Sequence, residues 1–288
     1  METVADSEAH QVEAGWKAIA LSAWKEATSD NIGLVAAGVA FYAFLALVPL
    51  IASVVLIYGL VVDPETVARH IAALADMLPA SAAELVGGQV ESVAESNSGA
   101  QGLGLLLALA IALFGARNGA GSVVTALNIA YDEADERGFI RSNILALALT
   151  VAAALAGIGA VGVQTLIAAL PDLIPEMPGG LVFLSNIVSY ALLFAFAAIG
   201  AALLYRIAPD RPMPGWRALM PGALLAAAGW TALTIGFGYY VANFGSYNAT
   251  YGSLGAVVVL LTWLYLSAYI LLLGAELNAA AERSRAPR

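Results

Sequence analysis

The sequence predicts an all-α polytopic membrane protein: a bundle of six transmembrane helices, with an N-terminal interfacial helix and short external amphipathic helices between the first and second spans. Three observations predict it. The 288 residues are 61% hydrophobic and only 11% charged, with a mean hydropathy of +0.83, whereas soluble domains carry about 25% charged residues. The apolar residues gather into six long runs. The cations lie in alternate connections between those runs.

The N-terminal segment, residues 1–32, is expected on the cytoplasmic side. Residues 1–30 hold six acids and no apolar run, so they do not read as a cleavable signal peptide. Between Glu13 and Ala27, the residues Trp16, Ile19, Ala20, Ala23, Trp24 and Ala27 recur at helical spacing, with Lys17 and Lys25 on another face. This pattern suits a helix in the headgroup layer, Trp at the boundary and Lys toward anionic lipid. It suits equally well a helix docked on the bundle.

A single transmembrane domain follows over residues 33–275. Its runs are Gly33 to Val62, Gly102 to Ala130, Ile144 to Leu170, Leu181 to Leu204, Leu219 to Val241 and Gly252 to Ala275. Each exceeds the roughly 20 residues needed to cross about 30 Å of hydrocarbon. Helices are expected because hydrocarbon offers no partner to a free backbone N–H or C=O. The interval 63–101 is long for a bundle loop. Ile71, Leu74 and Leu78, then Leu85, Val86, Val90 and Val93, predict two short amphipathic helices split near Pro79, acting as a lid, a shelf or a fixed solubilising cap. Residues 276–288 form a cytoplasmic tail.

Charge sets the orientation. Lys17 and Lys25 precede the first span; Arg137 and Arg141 join the second to the third; Arg206, Arg211 and Arg217 join the fourth to the fifth; Arg283, Arg285 and Arg288 follow the sixth. Ten of the twelve cations thus share one side, and only Arg69 lies opposite. By the positive-inside rule both termini are cytoplasmic. Asp63, Glu65, Asp76, Glu84, Glu91, Glu95, Asp172 and Glu176 then face outward, a solvated acidic rim.

Several chemistries drop out. The chain has no Cys and only His10 and His70 as histidines, which removes disulfides, thiolate metal sites and Cys nucleophiles. A formal charge of -9 supplies no basic stripe for nucleic acid. Phosphodiester hydrolysis calls for carboxylates or His converging on an accessible basic groove. The dense acids Asp132, Glu133, Asp135 and Glu136 sit in a short turn with no His nearby and read as a solvated loop. No GxSxG, P-loop, HExxH or dinucleotide motif occurs. The sequence therefore predicts a non-enzyme without metal or cofactor.

Polar groups inside the membrane are the remaining candidates for function. Arg117 lies fifteen residues past Gly102, or about 22 Å into the second span. Such a cation costs about 2.5–3.5 kcal/mol at mid-membrane. It serves either as a snorkelling structural residue or as a contact for substrate. Gly115, Gly119 and Gly121, with Ala116 and Ala120, make a face on which another helix can approach closely. That face would hold Arg117 and Asn118 inside the bundle and would also serve a homo-oligomer. Glu276, in "GAELNAA", is the expected partner of Arg117; its alternative is a position at headgroup level. Tyr42, Asn128, Gln164, Asn186, Ser189, Tyr190, Tyr239, Tyr240, Asn243 and Thr262 are further candidates to line a cavity, or are interhelical adhesives. Tyr58, Trp216, Tyr247 and Tyr251 fit an interfacial belt. Pro49, Gly38, Gly236 and Gly238 are candidate hinges or fixed kinks.

Four stretches carry a resemblance: "DNIGLVAAGVAFYAFLALVPL" from Asp30, "ALNIAYD" from Ala126, "LLYRIAPDRPMPGWRALMPGALLAAAGW" from Leu203 and "YGSLGAVVVLLTWLYLSAYILLLGAELNAA" from Tyr251. In their order and spacing the chain resembles the YihY/BrkB family of bacterial inner-membrane proteins, once labelled ribonuclease BN, over residues 16 to 281. It departs from that family at Ala46, where Ser is usual. The resemblance implies six spans, cytoplasmic ends, an inner-membrane location and a role in transport or export. Two functions follow as expectations. One is a transporter or exporter that moves a small polar or anionic solute through a central cavity, with lipid and that unidentified solute as its partners. The other is a non-transporting envelope structural or assembly protein.

Overall fold

The computed structural model describes residues 15–61, 101–169, 178–243 and 253–285. Among them the regular structure is helical: α1 Trp16–Ser29, α2 Ile32–Val61, α3 Gln101–Ala130, α4 Phe139–Ala168, α5 Gly179–Ile207, α6 Trp216–Asn243 and α7 Ser253–Arg285. Four stretches are long and apolar enough to cross a bilayer alone: Phe139–Ile167, Gly179–Ile207, Trp216–Tyr240 and Val257–Arg285. A fifth arises if α1 and the first half of α2 form one span bent by 65°. The chain is an all-α polytopic membrane protein. Residues 63–100 of the expected shelf, with its two helices, and the eight outward acids lie outside the described residues, as do Tyr247 and Tyr251, while Gln101 opens α3.

Two connections are fixed by left-handed caps. Asn31 has φ 52° and Asp132 φ 55°, values that Asn and Asp tolerate better than most residues. At the end of α3 the Glu133 N–H reaches the Asn128 carbonyl at 2.9 Å and the Asp132 N–H reaches Ile129 at 3.0 Å. These are the paired bonds of a Schellman motif. At the end of α1 the Asn31 N–H donates to the Thr28 carbonyl and its side-chain amide to the Ser29 carbonyl. The chain turns sharply there into α2.

The helices close on one another at the end where the cation-bearing connections gather. α2 lies along α3, α7 sits between α2 and α6, α5 packs on α6 and α1 on α7. The buried core is built largely from alanine: Ala36, Ala126, Ala202, Ala223 and Ala275 are almost wholly enclosed. Small side chains let backbones approach, which is how helices gain dispersion energy when lipid is as apolar as they are. α4 leans on α3 and touches α5 lightly. Its outward residues Phe139, Ile140, Ile144 and Leu166 stand exposed, as a lipid-facing surface requires.

The expected element limits shift in two places. α4 starts at Phe139, ahead of the apolar run at Ile144, so Arg141 and Asn143 are helical. α7 continues past Ala275 to Arg285, so residues 276–285 of the expected C-terminal tail are helical. The physical reason is packing: Ile19 and Ala23 of α1 bury against Ala280 and Ala281 of α7. α1 is thus a docked helix, while Trp16, Leu21 and Trp24 remain on its exposed side.

Candidate functional site

The face of α3 expected to accept a close neighbour does so. A Cβ on Gly115 would stand 3.2 Å from the Cα of Ala46, and one on Gly119 would stand 3.7 Å from the carbonyl of Tyr42. Ala46, the position that departs from the family pattern, is therefore a packing residue. Gly121 has nothing within 4 Å; it borders a cleft instead. That cleft, of about 450 Å³, lies among α2, α3 and α4, lined by Gly38 and Tyr42, by Arg117, Asn118, Ser122 and Thr125, and by Asp135 and Ser142.

Arg117 is held in this cleft by neutral groups. Its Nε donates to Asn143 Oδ1 at 2.5 Å and its Nη1 to Asn118 Oδ1 at 2.8 Å. The Asn143 amide donates in turn to the Phe139 carbonyl at 2.6 Å, which fixes its orientation. The guanidinium stands 6.0 Å from the centre of the Phe139 ring. Among the described residues no carboxylate lies within ion-pair distance of it. Two amide oxygens satisfy two donors and bring no formal counter-charge of their own.

The expected pairing of Arg117 with Glu276 is not formed. Arg117 is thirteen residues before the end of α3, about 20 Å along the helix. Glu276 lies level with that end, fully buried and facing Asp30 of the turn between α1 and α2. Residue inventory suggests the pair; helical rise separates it.

The other candidates are dispersed. Asn128 is buried, and its Oδ1 accepts from the Asp210 N–H at 2.8 Å, bracing the connection after α5. Gln164 donates to the Ser189 carbonyl at 3.0 Å, tying α4 to α5. Asn186, Tyr190 and Tyr239 are exposed. Gly236, Tyr240 and Thr262 border a second, more apolar groove of about 460 Å³ between α6 and α7. Gly38, Gly236 and Gly238 have open space around them. α2 continues through Pro49, and the side chains of Pro49 and Asn243 lie outside the described residues. Of the candidate residues, then, Gly38, Tyr42, Arg117 and Asn118 come together.

What sequence reasoning missed is a polar clasp at the cation-bearing end. Arg137 Nε donates to Asp210 Oδ1 at 3.0 Å and its Nη1 to the Ala208 carbonyl at 2.9 Å, while the Glu136 N–H meets Asp210 Oδ2 at 3.0 Å. Desolvation opposes ionisation of Asp210, yet the Arg137 hydrogen bond prevails and holds this carboxyl below its usual range. Arg211 pairs with Glu282 at 2.6 Å and lies 3.8 Å over the Tyr131 ring. Arg283 pairs with Asp132 at 2.8 Å. Asn278 accepts from the Gly222 N–H at 2.7 Å and donates to the Leu219 carbonyl at 3.1 Å and the Tyr131 hydroxyl at 3.3 Å. By sequence these cations mark topology and the acids read as a solvated loop. Their unusual order, "APDRP" and "GAELNAA", was the available signal.

A family model described as virulence factor BrkB matches residues 23–288. The chain belongs to that family. Among BrkB relatives, the YfkH protein of Bacillus subtilis, whose name includes "ribonuclease-like", is 32% identical over 216 residues, 72% of this chain and 75% of its own length. A UPF0761 membrane protein of Pseudoalteromonas translucida is 29% identical over 254 residues, 87% of this chain and 81% of its own. No solved structure matches this BrkB-family chain.

Proposed function

We propose that this BrkB-family protein is a six-span carrier of the bacterial inner membrane, with both termini in the cytoplasm, which moves a small anionic or polar solute. One observation carries the reading: a cation half-buried in a cleft, held by two asparagines and, among the described residues, with no carboxylate within ion-pair distance. A membrane protein that needed Arg117 only for stability would gain most by pairing it with an acid. Neutral amides orient the guanidinium and leave its charge to a ligand. Tyr42, Asn118, Ser122 and Thr125 add hydroxyl and amide groups that fix a polar solute. The cations of the inner face would concentrate anions at its entrance. Hydrolysis of phosphodiesters is not part of this reading.

The test is flux in proteoliposomes across a panel of organic anions and neutral polar metabolites. The expected result is transport of at least one class, lost in Arg117→Ala and weakened in Arg117→Lys, with Asn186→Ala unaffected. Absence of flux for every class favours an envelope assembly protein. Since the native chain has no cysteine, a single Ser142→Cys variant reports access to the cleft, and reporter fusions at the two ends report their sides. Labelling of the introduced thiol that needs access from the cytoplasmic face supports the reading; termini on opposite faces overturn the topology.

A further inference from the structure

The elbow between α1 and α2 places Asp30 against Glu276 of α7, and among the described residues no cation forms an ion pair with either carboxyl. Glu276 has no exposed surface, and neither of its carboxyl oxygens finds a hydrogen-bond donor among the described residues. The polar side chain that meets it is another carboxyl. From α1 the pair faces Glu26, from the end of α3 it faces Asp132 and Tyr131, and from its own helix it faces Arg283. Arg283 is already engaged, 2.8 Å from Asp132 and 3.9 Å from Glu26. Burial pushes the Tyr131 hydroxyl far above its usual range, so it stays neutral. Four carboxyl groups thus surround one guanidinium.

An ionised Glu276, enclosed as it is, has lost its hydration, and an ionised Asp30 beside it at the half-exposed elbow adds repulsion. A single proton between them turns the repulsion into an O–H···O bond, one carboxyl donating and the other accepting. We propose that Asp30 and Glu276 form a proton-binding pair that locks the α1–α2 elbow onto α7 while one proton is held and releases it when that proton leaves. Asp30 itself is shifted upward, first by burial and then by Asp132. The pair binds its proton as a unit, and neither carboxyl owns it. It would do so whether or not the protein carries a solute.

The full chain in lipid nanodiscs tests this. Infrared spectra of the wild type at neutral pH are expected to show the carbonyl stretch of a protonated carboxylic acid, shifted in heavy water and lost in Glu276→Gln. The melting temperature of the wild type is expected to fall from neutral to mildly alkaline pH, because proton affinity in the fold exceeds that in the unfolded chain. Glu276→Gln and Asp30→Asn each replace the shared proton with an amide donor, so each is expected to flatten that fall. The proposal is overturned by a wild-type spectrum without the acid band, by a melting temperature that does not fall, or by a fall retained equally in both variants. Stability that follows sodium concentration at fixed pH instead would assign the site to a metal cation and equally overturn it.

Discussion

Gly222 of α6 and Gly274 of α7 cross so closely that a Cβ on either would strike the carbonyl oxygen of the other. A Cβ on Gly274 would also strike the Tyr205 hydroxyl, which donates to the Leu271 carbonyl at 2.6 Å. Backbone cannot yield as a flexible side chain can. Gly274→Ala and Gly222→Ala are therefore each expected to cost about 1–3 kcal/mol through forced separation of α6 from α7. Gly121→Ala, with open space around it, should stay within about 0.5 kcal/mol of wild type. Thermal denaturation in detergent measures all three, and equal melting temperatures would refute the crossing.

Asn278 joins that crossing to the end of α3. Its replacement by Ala leaves the Gly222 N–H, next to Pro221 in α6, without its side-chain acceptor. Asn278→Ala is expected to cost about 1–3 kcal/mol, against about 1 kcal/mol for Tyr205→Phe, which removes one hydrogen bond and keeps the ring. Chemical denaturation of the pair of variants checks the order; a smaller loss for Asn278→Ala would contradict it.

The clasp of Arg137 on Asp210 makes a prediction at low pH. Asp210 is held below its usual range in the fold, so its contribution is present above the value it has unfolded and disappears as pH falls through the folded value. Acidification below the ordinary aspartate range should therefore loosen the wild type. Asp210→Asn should begin less stable at neutral pH and lose less on acidification. High salt should narrow the difference, because Asp210 is in reach of solvent. Melting curves across that range decide, and parallel losses in both proteins would remove Asp210 from the account.

α1 presents Trp16, Leu21 and Trp24 outward while Ile19, Ala23 and Ala27 are buried. With Lys17 and Lys25 also outside the core, that outward side fits the headgroup boundary. In a variant retaining only Trp24 of the five tryptophans, brominated lipids are expected to quench its fluorescence. Leu21→Asp should diminish the quenching. Emission insensitive to brominated lipid would place α1 in water.

How far the residues announced this arrangement depends on the kind of interaction. The helix-approach face of Gly115 and Gly119 was readable because small residues at that spacing admit close contact, and α2 fills it. The cleft was half readable: Arg117, Asn118, Tyr42 and Gly38 were candidates, whereas Asn143 was not, since it precedes the apolar run that marked its helix. The partner of Glu276 was misread because complementary charge is a poor guide when the axial level of each residue is unknown.

Composition and the length of its apolar runs determined by themselves that this chain is helical and lives in a membrane, since hydrocarbon admits few other ways of satisfying a backbone. The distribution of cations likewise marked which connections share a face, and the clasp among residues 131–137, 208–211 and 276–285 gathers those segments at one end. Only the tertiary structure decided which polar groups meet. Asp30 and Glu276 are 246 positions apart, and nothing local encodes their contact. It arises because alanine and glycine faces let α1, α2 and α7 close to within a side chain of one another, and distance in space, not in sequence, sets electrostatic coupling.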